Sequence, residues 1–213
     1  MTAIIDFQEL SPNNVIKDLV LFISREIPSF LSSKEAKNIL VKKKNENQHS
    51  TAFCVFMTNR SKAKFCFQRE NAQKRNSVVD IGVYYGANLI FTMESKLLPT
   101  PLGTKKQPRY EHEYVYGNGA GIERFKNEKH GYDNADNPLL ENAMIGFVLE
   151  NAIDFWFEKI NHWIVDAKWN ETEIIQKSFI SDFEIFKSRH KRNDNSYVIL
   201  YHFLIDLNRK TNK

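Results

Sequence analysis

The chain has 213 residues, of which 42% are hydrophobic and 26% charged, the composition of one globular domain of ordinary size with a substantial core. No apolar run approaches the roughly 20 residues that cross a bilayer, and the N-terminal MTAIIDFQEL lacks a basic segment followed by an apolar one, so neither a membrane anchor nor export is expected. Two cysteines, Cys54 and Cys66, are too few for a disulfide framework and point to a reducing cytoplasm, while a formal charge of +4 permits a polyanionic partner without demanding one.

Ser11-Pro12 reads as a cap followed by proline in the first turn. Val15, Ile16, Leu19, Val20, Phe22 and Ile23 recur at helical spacing, which predicts a helix over residues 12–25 that Pro28 stops. Ser32 and Glu35 form a capping-box pattern before Ile39, Leu40 and Val41, a second helix. Lys42-Lys43-Lys44 is a solvated face or a phosphate contact. Residues 45–59 fit a helix opened by Asn45, with Glu46 in its first turn, although Phe53–Met57 also fits a strand. Arg60–Lys64 reads as a basic loop, Lys64–Gln68 as a strand, and the polar run Arg69–Asn76 as a connection.

Ser77–Lys96 is the stretch around which the chain is organised. Two β-branched and aromatic runs, Val78–Tyr84 and Leu89–Met93, flank Gly86-Ala87-Asn88 and predict two buried strands joined by a tight turn. Short links between strands predict an antiparallel meander. Residues 97–121 are long, basic and irregular, with Tyr110, His112, Tyr114 and Tyr116 set among Glu111 and Glu113. Gly117-Asn118-Gly119-Ala120-Gly121 then enters a short helix; it is a hinge or a source of backbone N–H groups for a phosphate, and it is not a GxGxxG fingerprint. Ala143–Leu149 reads as a buried strand. Residues 151–165 form a helix with Ile153, Trp156, Phe157, Ile160, Trp163 and Ile164 on one face, and the tryptophans read as core. Phe179–Phe186 and Tyr197–Leu207, separated by the basic turn Lys187–Asn195, predict a C-terminal hairpin.

Asp80 lies inside the first strand of the central pair, and Glu94 and Lys96 close the second. A carboxylate inside a buried strand is costly unless something pairs with it, so these charges point to a metal ion or a charged ligand. Residues two apart on a strand share a face, so Glu94 and Lys96 project together and Ser95 opposes them. Other chemistry is poorly supplied. The six histidines show no HxxxH or HxH spacing, which argues against zinc; His202 reads as a satisfied core histidine; no GxSxG elbow occurs; both cysteines read as core.

Asp80 followed by Glu94-Ser95-Lys96, on adjoining strands within helix–strand–strand–strand–helix–strand, resembles the PD-(D/E)XK nuclease superfamily over residues 45–165. Val79 stands where that motif carries proline. The resemblance implies an α/β, restriction-endonuclease-like αβββαβ core with a central mixed sheet flanked by helices. It implies a single domain over 1–213, with a helical extension at 1–44 and a C-terminal hairpin at 166–213 added to the core. It further implies a Mg²⁺-dependent nuclease: Asp80 and Glu94 as metal ligands, Lys96 as the orienting or general-base residue, and an acidic residue from the preceding helix, Glu46 by position. The alternative for Glu46 is a glutamate favouring the helix macrodipole; Glu70 is a second candidate. For the trio, the alternative is a structural ion-pair cluster, in a catalytically inactive scaffold for protein or nucleic-acid interaction. The implied partner is nucleic acid, DNA ahead of RNA, and a homodimer is compatible. Candidate phosphate contacts are Lys62, Arg75, Lys105, Lys106 and Arg109, with further basic residues at Arg60, Lys64, Lys74, Lys187, Arg189, Lys191 and Arg192.

Overall fold

A computed structural model describes residues 12–42, 45–101, 103, 109–117 and 121–208. The predicted cap Ser11, Lys43 and Lys44 of the lysine run, Lys105, Lys106, and Asn118-Gly119-Ala120 of the glycine-rich segment lie outside them.

Helix α1 (Pro12–Leu31) buries Leu19, Val20 and Ile23, the stripe its periodicity predicts. It does not stop at Pro28, which lies inside it. An interior proline removes one helical hydrogen bond and costs about 3 kcal/mol when unsupported. Here the turn beyond it is held by Phe30, fully buried edge-on against Phe53 and Phe56 at 5.6 and 5.4 Å. Helix α2 (Lys34–Lys42) follows, capped by Ser33, whose Oγ accepts the Ala36 N–H at 3.1 Å. The predicted Ser32 instead donates to the Pro28 carbonyl. Helix α3 (Glu46–Arg60) settles the helix-or-strand ambiguity; Asn45 caps it by accepting the Gln48 N–H at 3.2 Å.

Strands β1 (Cys66–Gln73), β2 (Ser77–Tyr85) and β3 (Asn88–Leu98) form the expected antiparallel meander. Gly86 takes φ +61 in the β2–β3 turn, a conformation that favours glycine. The polar run after Arg69 is not a loop: β1 continues to Gln73. Its amides are buried and matched. Asn71 donates to the Gln68 carbonyl and accepts from the Tyr84 hydroxyl, and Gln73 accepts the Gly131 and Tyr132 N–H groups. A buried amide with all its partners reads as a surface residue in sequence.

A long crossover carries a 3-10 turn (Glu111–Tyr114) and α4 (Gly121–Lys126) to β4 (Glu141–Val148), which pairs parallel with β3. Helix α5 (Ile153–Asp166) buries Trp156, Ile160, Trp163 and Ile164. A second 3-10 turn (Glu171–Glu173) leads to β5 (Gln176–Ile180), β6 (Phe183–Lys191) and β7 (Tyr197–Asp206). The expected strand Phe179–Phe186 is therefore two strands broken at Ser181, and most of the expected basic turn Lys187–Asn195 is β6. The C-terminal strands extend the sheet beyond β4. The sheet order is β1-β2-β3-β4-β7-β6-β5, so β7 lies in the interior, parallel to β4 and antiparallel to β6. The result is an α/β fold with a seven-stranded mixed sheet. Helices α1–α3 cover one face; the first 3-10 turn, α4 and α5 cover the other, around Tyr114, Phe125, Met144, Trp156 and Leu204. Among the described residues no helix is long and apolar enough to cross a membrane.

Candidate active site

The last residues paired between β2 and β3 are Ile81 and Met93. Asp80 and Glu94 come next in that register, where the strands part. The opening leaves N–H groups of β3 without a β2 partner, and carboxylates take them. Asp80 Oδ2 accepts the Ser95 N–H and the Ser95 hydroxyl, both at 2.8 Å. Glu46, reaching in from the first turn of α3, accepts the Leu97 N–H at 3.4 Å through Oε2. The Ser95 hydroxyl lies 2.7 Å from that of Ser50 on α3, which ties the helix to the opening.

Glu94 and Lys96 project to the opposite face from Ser95, as strand alternation requires. They are 1% and 4% exposed. Lys96 Nζ donates to Glu94 Oε1 at 2.9 Å and lies 3.5 Å from Glu46 Oε1. Two arginines close the ends. Arg124 of α4 places Nη1 3.5 Å from Glu94 Oε1; Arg109 places Nη2 3.4 Å from Glu46 Oε2 and donates through Nε to Glu113 at 2.9 Å. Charges thus alternate along Arg124–Glu94–Lys96–Glu46–Arg109–Glu113.

Burial pushes the Glu94 carboxyl up to about 7 despite Lys96, with Asp80 adding to the rise and Arg124 opposing it. Burial pulls Lys96 down, but Glu94, Glu46 and Asp80 together hold it above its ordinary value. His130 is fully buried and pushed down to about 3, by burial first and then by Arg124 and Lys96. Its Nδ1 lies 3.3 Å from Glu94 Oε2, and neither atom has an aligned hydrogen-bond partner.

The four predicted site residues Asp80, Glu94, Lys96 and Glu46 therefore surround one opening. Glu46 also occupies the α3 N-terminal turn, so it complements the macrodipole as well. Glu70 is not with them: its exposed side chain pairs with Arg69, at 3.4 Å. Of the candidate phosphate contacts, Arg109 joins the site. Lys62 sits exposed in the loop after α3, and Arg75 lies in the short turn between β1 and β2. Arg60 and Lys64 are neutralised by Glu26 and Asp18 of α1. Arg192 is buried and donates to the Leu139 carbonyl, so it is no part of a surface path. Arg124, His130 and Glu113 were not marked by any local pattern; α4 and the crossover bring them in from far along the chain.

For a divalent cation the fit is limited to two carboxylates. Among the described residues no group of three or more His, Cys, Asp or Glu is arranged to hold a metal. Among the described residues both hydrogen bonds to the Asp80 carboxylate go to Oδ2, and Glu94 Oε2 has no aligned partner, which leaves one oxygen of each for a hard ion that keeps several waters.

A second buried polar chain lies on the same side of the sheet. Tyr114 donates to His202 Nδ1 at 3.0 Å, His202 Nε2 to the Ser188 hydroxyl at 2.7 Å, Ser188 to His190 Nε2 at 2.7 Å, and His190 Nδ1 to Glu173 at 2.9 Å. Lys126 of α4 pairs with the same Glu173 oxygen. With both rings neutral, every hydrogen runs in one direction and every partner is matched. His202 is thus the satisfied core histidine the sequence suggests. Burial holds both histidines below their ordinary value, with Glu173 opposing this at His190 and His190 adding to it at His202. The unfolded chain protonates them below about pH 6.5. Their contribution to stability is therefore complete above that pH and is lost as pH falls toward the folded-state values. His130 acts in the same direction. Glu94 acts oppositely, losing its contribution as pH rises through about 7. Three groups against one predict a urea midpoint that drops between about pH 7 and about pH 5. An equal or higher midpoint at the lower pH contradicts this assignment.

No protein-family model matches the chain, no curated protein matches it in sequence, and no solved structure matches it.

Proposed function

We propose that the protein is a metal-dependent nuclease that hydrolyses phosphodiester bonds, in DNA ahead of RNA, on a restriction-endonuclease-like core over residues 45–165. The observation that carries this reading is that Asp80 and Glu94 come next in register where β2 and β3 part, close enough for the Asp80 charge to act on Glu94, with Lys96 2.9 Å from Glu94. The element order α3-β1-β2-β3-α4-β4, with β4 parallel to β3, supports the fold assignment. Asp80 and Glu94 would hold Mg²⁺, which when bound supplies charge neutralisation at the phosphate and an acidified water. Lys96, held between Glu94 and Glu46, would orient the attacking water and stabilise charge as it develops. Arg124 and Arg109 each turn one edge to an inner carboxylate and are about a third exposed, at 33% and 32%, which leaves donors for phosphate oxygens.

The test is cleavage of plasmid and oligonucleotide substrates with Mg²⁺, with EDTA, and by Lys96→Ala. Cleavage is expected to need the metal and to fall on the order of 10²–10³-fold in the variant. Equal cleavage by the variant, or none by the wild type, removes the assignment. In the latter case the mutual satisfaction of buried Glu94 and Lys96 favours the inactive scaffold.

A further inference from the structure

The crossover segment that delivers Arg109 also carries three aromatic rings in one stack. Tyr110 and His112 lie 5.3 Å apart between centroids with planes 9° apart; His112 and Tyr116 lie 4.3 Å apart at 17°. Core rings in this protein meet otherwise: Phe30–Phe53 and Phe53–Phe67 cross at 80° and 86°. The stack stands at the surface, with Tyr110 at its end and 46% exposed. Its footing is nevertheless firm. Glu113, 2% exposed, accepts the Tyr110 N–H at 3.0 Å with one oxygen and Arg109 Nε at 2.9 Å with the other. Glu111 is tied to Lys159 of α5 at 2.6 Å, and Tyr114 is fully buried beneath. One buried carboxylate therefore fixes an exposed ring and a partly exposed guanidinium side by side. That guanidinium touches Glu46, which touches Lys96.

We infer that Tyr110 is a stacking platform for an unpaired nucleobase beside the cleavage site, so that the substrate of the proposed nuclease is single-stranded nucleic acid. This rests on the nuclease reading. A flat ring continues a stack whose outer member is exposed, and an adjacent arginine takes the phosphate joined to it. In a duplex the base faces already cover one another, whereas an unpaired base presents a free face to an aromatic side chain. Stacking is tolerant of base identity, so the platform selects strandedness before sequence.

The experiment measures fluorescence anisotropy of a labelled DNA single strand, the matching RNA strand and the matching DNA duplex, with Ca²⁺ replacing Mg²⁺. The wild type is expected to hold a single strand more tightly than the duplex, and the two single-strand arms show whether sugar identity matters. Tyr110→Leu should weaken single-strand binding ~10-fold or more, while Tyr110→Phe keeps it. The slope of affinity against salt should stay unchanged in Tyr110→Leu, because no phosphate contact is lost. Wild-type affinity for single strands in Tyr110→Leu, equal losses on duplex and single strand, equal losses in the Leu and Phe variants, or no binding by the wild type overturns the platform. Cleavage is scored separately with Lys96→Ala. Lys96-independent cleavage removes the hydrolytic reading, and Tyr110-independent binding removes only the platform.

Discussion

Glu94→Ala is expected to lower Mg²⁺-dependent cleavage by at least about 10²–10³-fold and to destabilise the fold by roughly 3–5 kcal/mol. The activity loss follows from removing one of the two carboxylates proposed to hold the ion. The stability loss follows from leaving Lys96 buried with its nearer partner gone; Glu46, 3.5 Å away, softens it. Glu94→Gln separates the two effects. The amide keeps the shape and an oxygen for Lys96, so stability should be largely retained, yet a neutral amide is a poor ligand for a hard cation and activity should still fall. Cleavage kinetics and urea denaturation of both variants check this. A purely structural ion-pair network would move stability in the alanine variant and leave any cleavage intact in the glutamine variant.

Ser188→Ala is expected to cost about 3 kcal/mol, lowering Tm by roughly 6–12 °C for a chain of this size. Its hydroxyl links His202 and His190 in the buried chain, accepting from one and donating to the other at 2.7 Å each. Removing it leaves an imidazole N–H and an imidazole lone pair without partners, each costing about 1–3 kcal/mol when buried. Calorimetry or urea denaturation reads the loss directly, and a change of less than about 1 kcal/mol contradicts the directional chain.

The legible parts of the sequence were those in which local pattern and tertiary environment agree. The α1 and α5 stripes, the Asn45 cap and the β2–β3 hairpin with Gly86 are cases of this kind, and so is the placing of Asp80, Glu94 and Lys96, since strand alternation and a tight turn fix their relation. The illegible parts were polar segments whose partners lie far along the chain. Asn71 and Gln73 read as loop because their amides find Tyr84, Gly131 and Tyr132 only in the fold. Ser188 and His190 read as turn although they are buried positions of a strand. The interior place of β7 depends on pairing with β4 across a distance that no local period encodes. Pro28 misled because Phe30, buried against Phe53 and Phe56, and Leu31 hold the helix beyond it. Arg124 and His130 share no motif with Glu94; only the long crossover brings them to it.

In the proposed nuclease Asp80 and Glu94 together hold one divalent ion. Titration of the purified protein with Mn²⁺, counting the free ion by its electron paramagnetic resonance signal, reads this out. One site per chain is expected in the wild type, displaced by Mg²⁺ and weakened by about 10-fold or more in Asp80→Asn. No site in the wild type, or an unchanged one in Asp80→Asn, contradicts it.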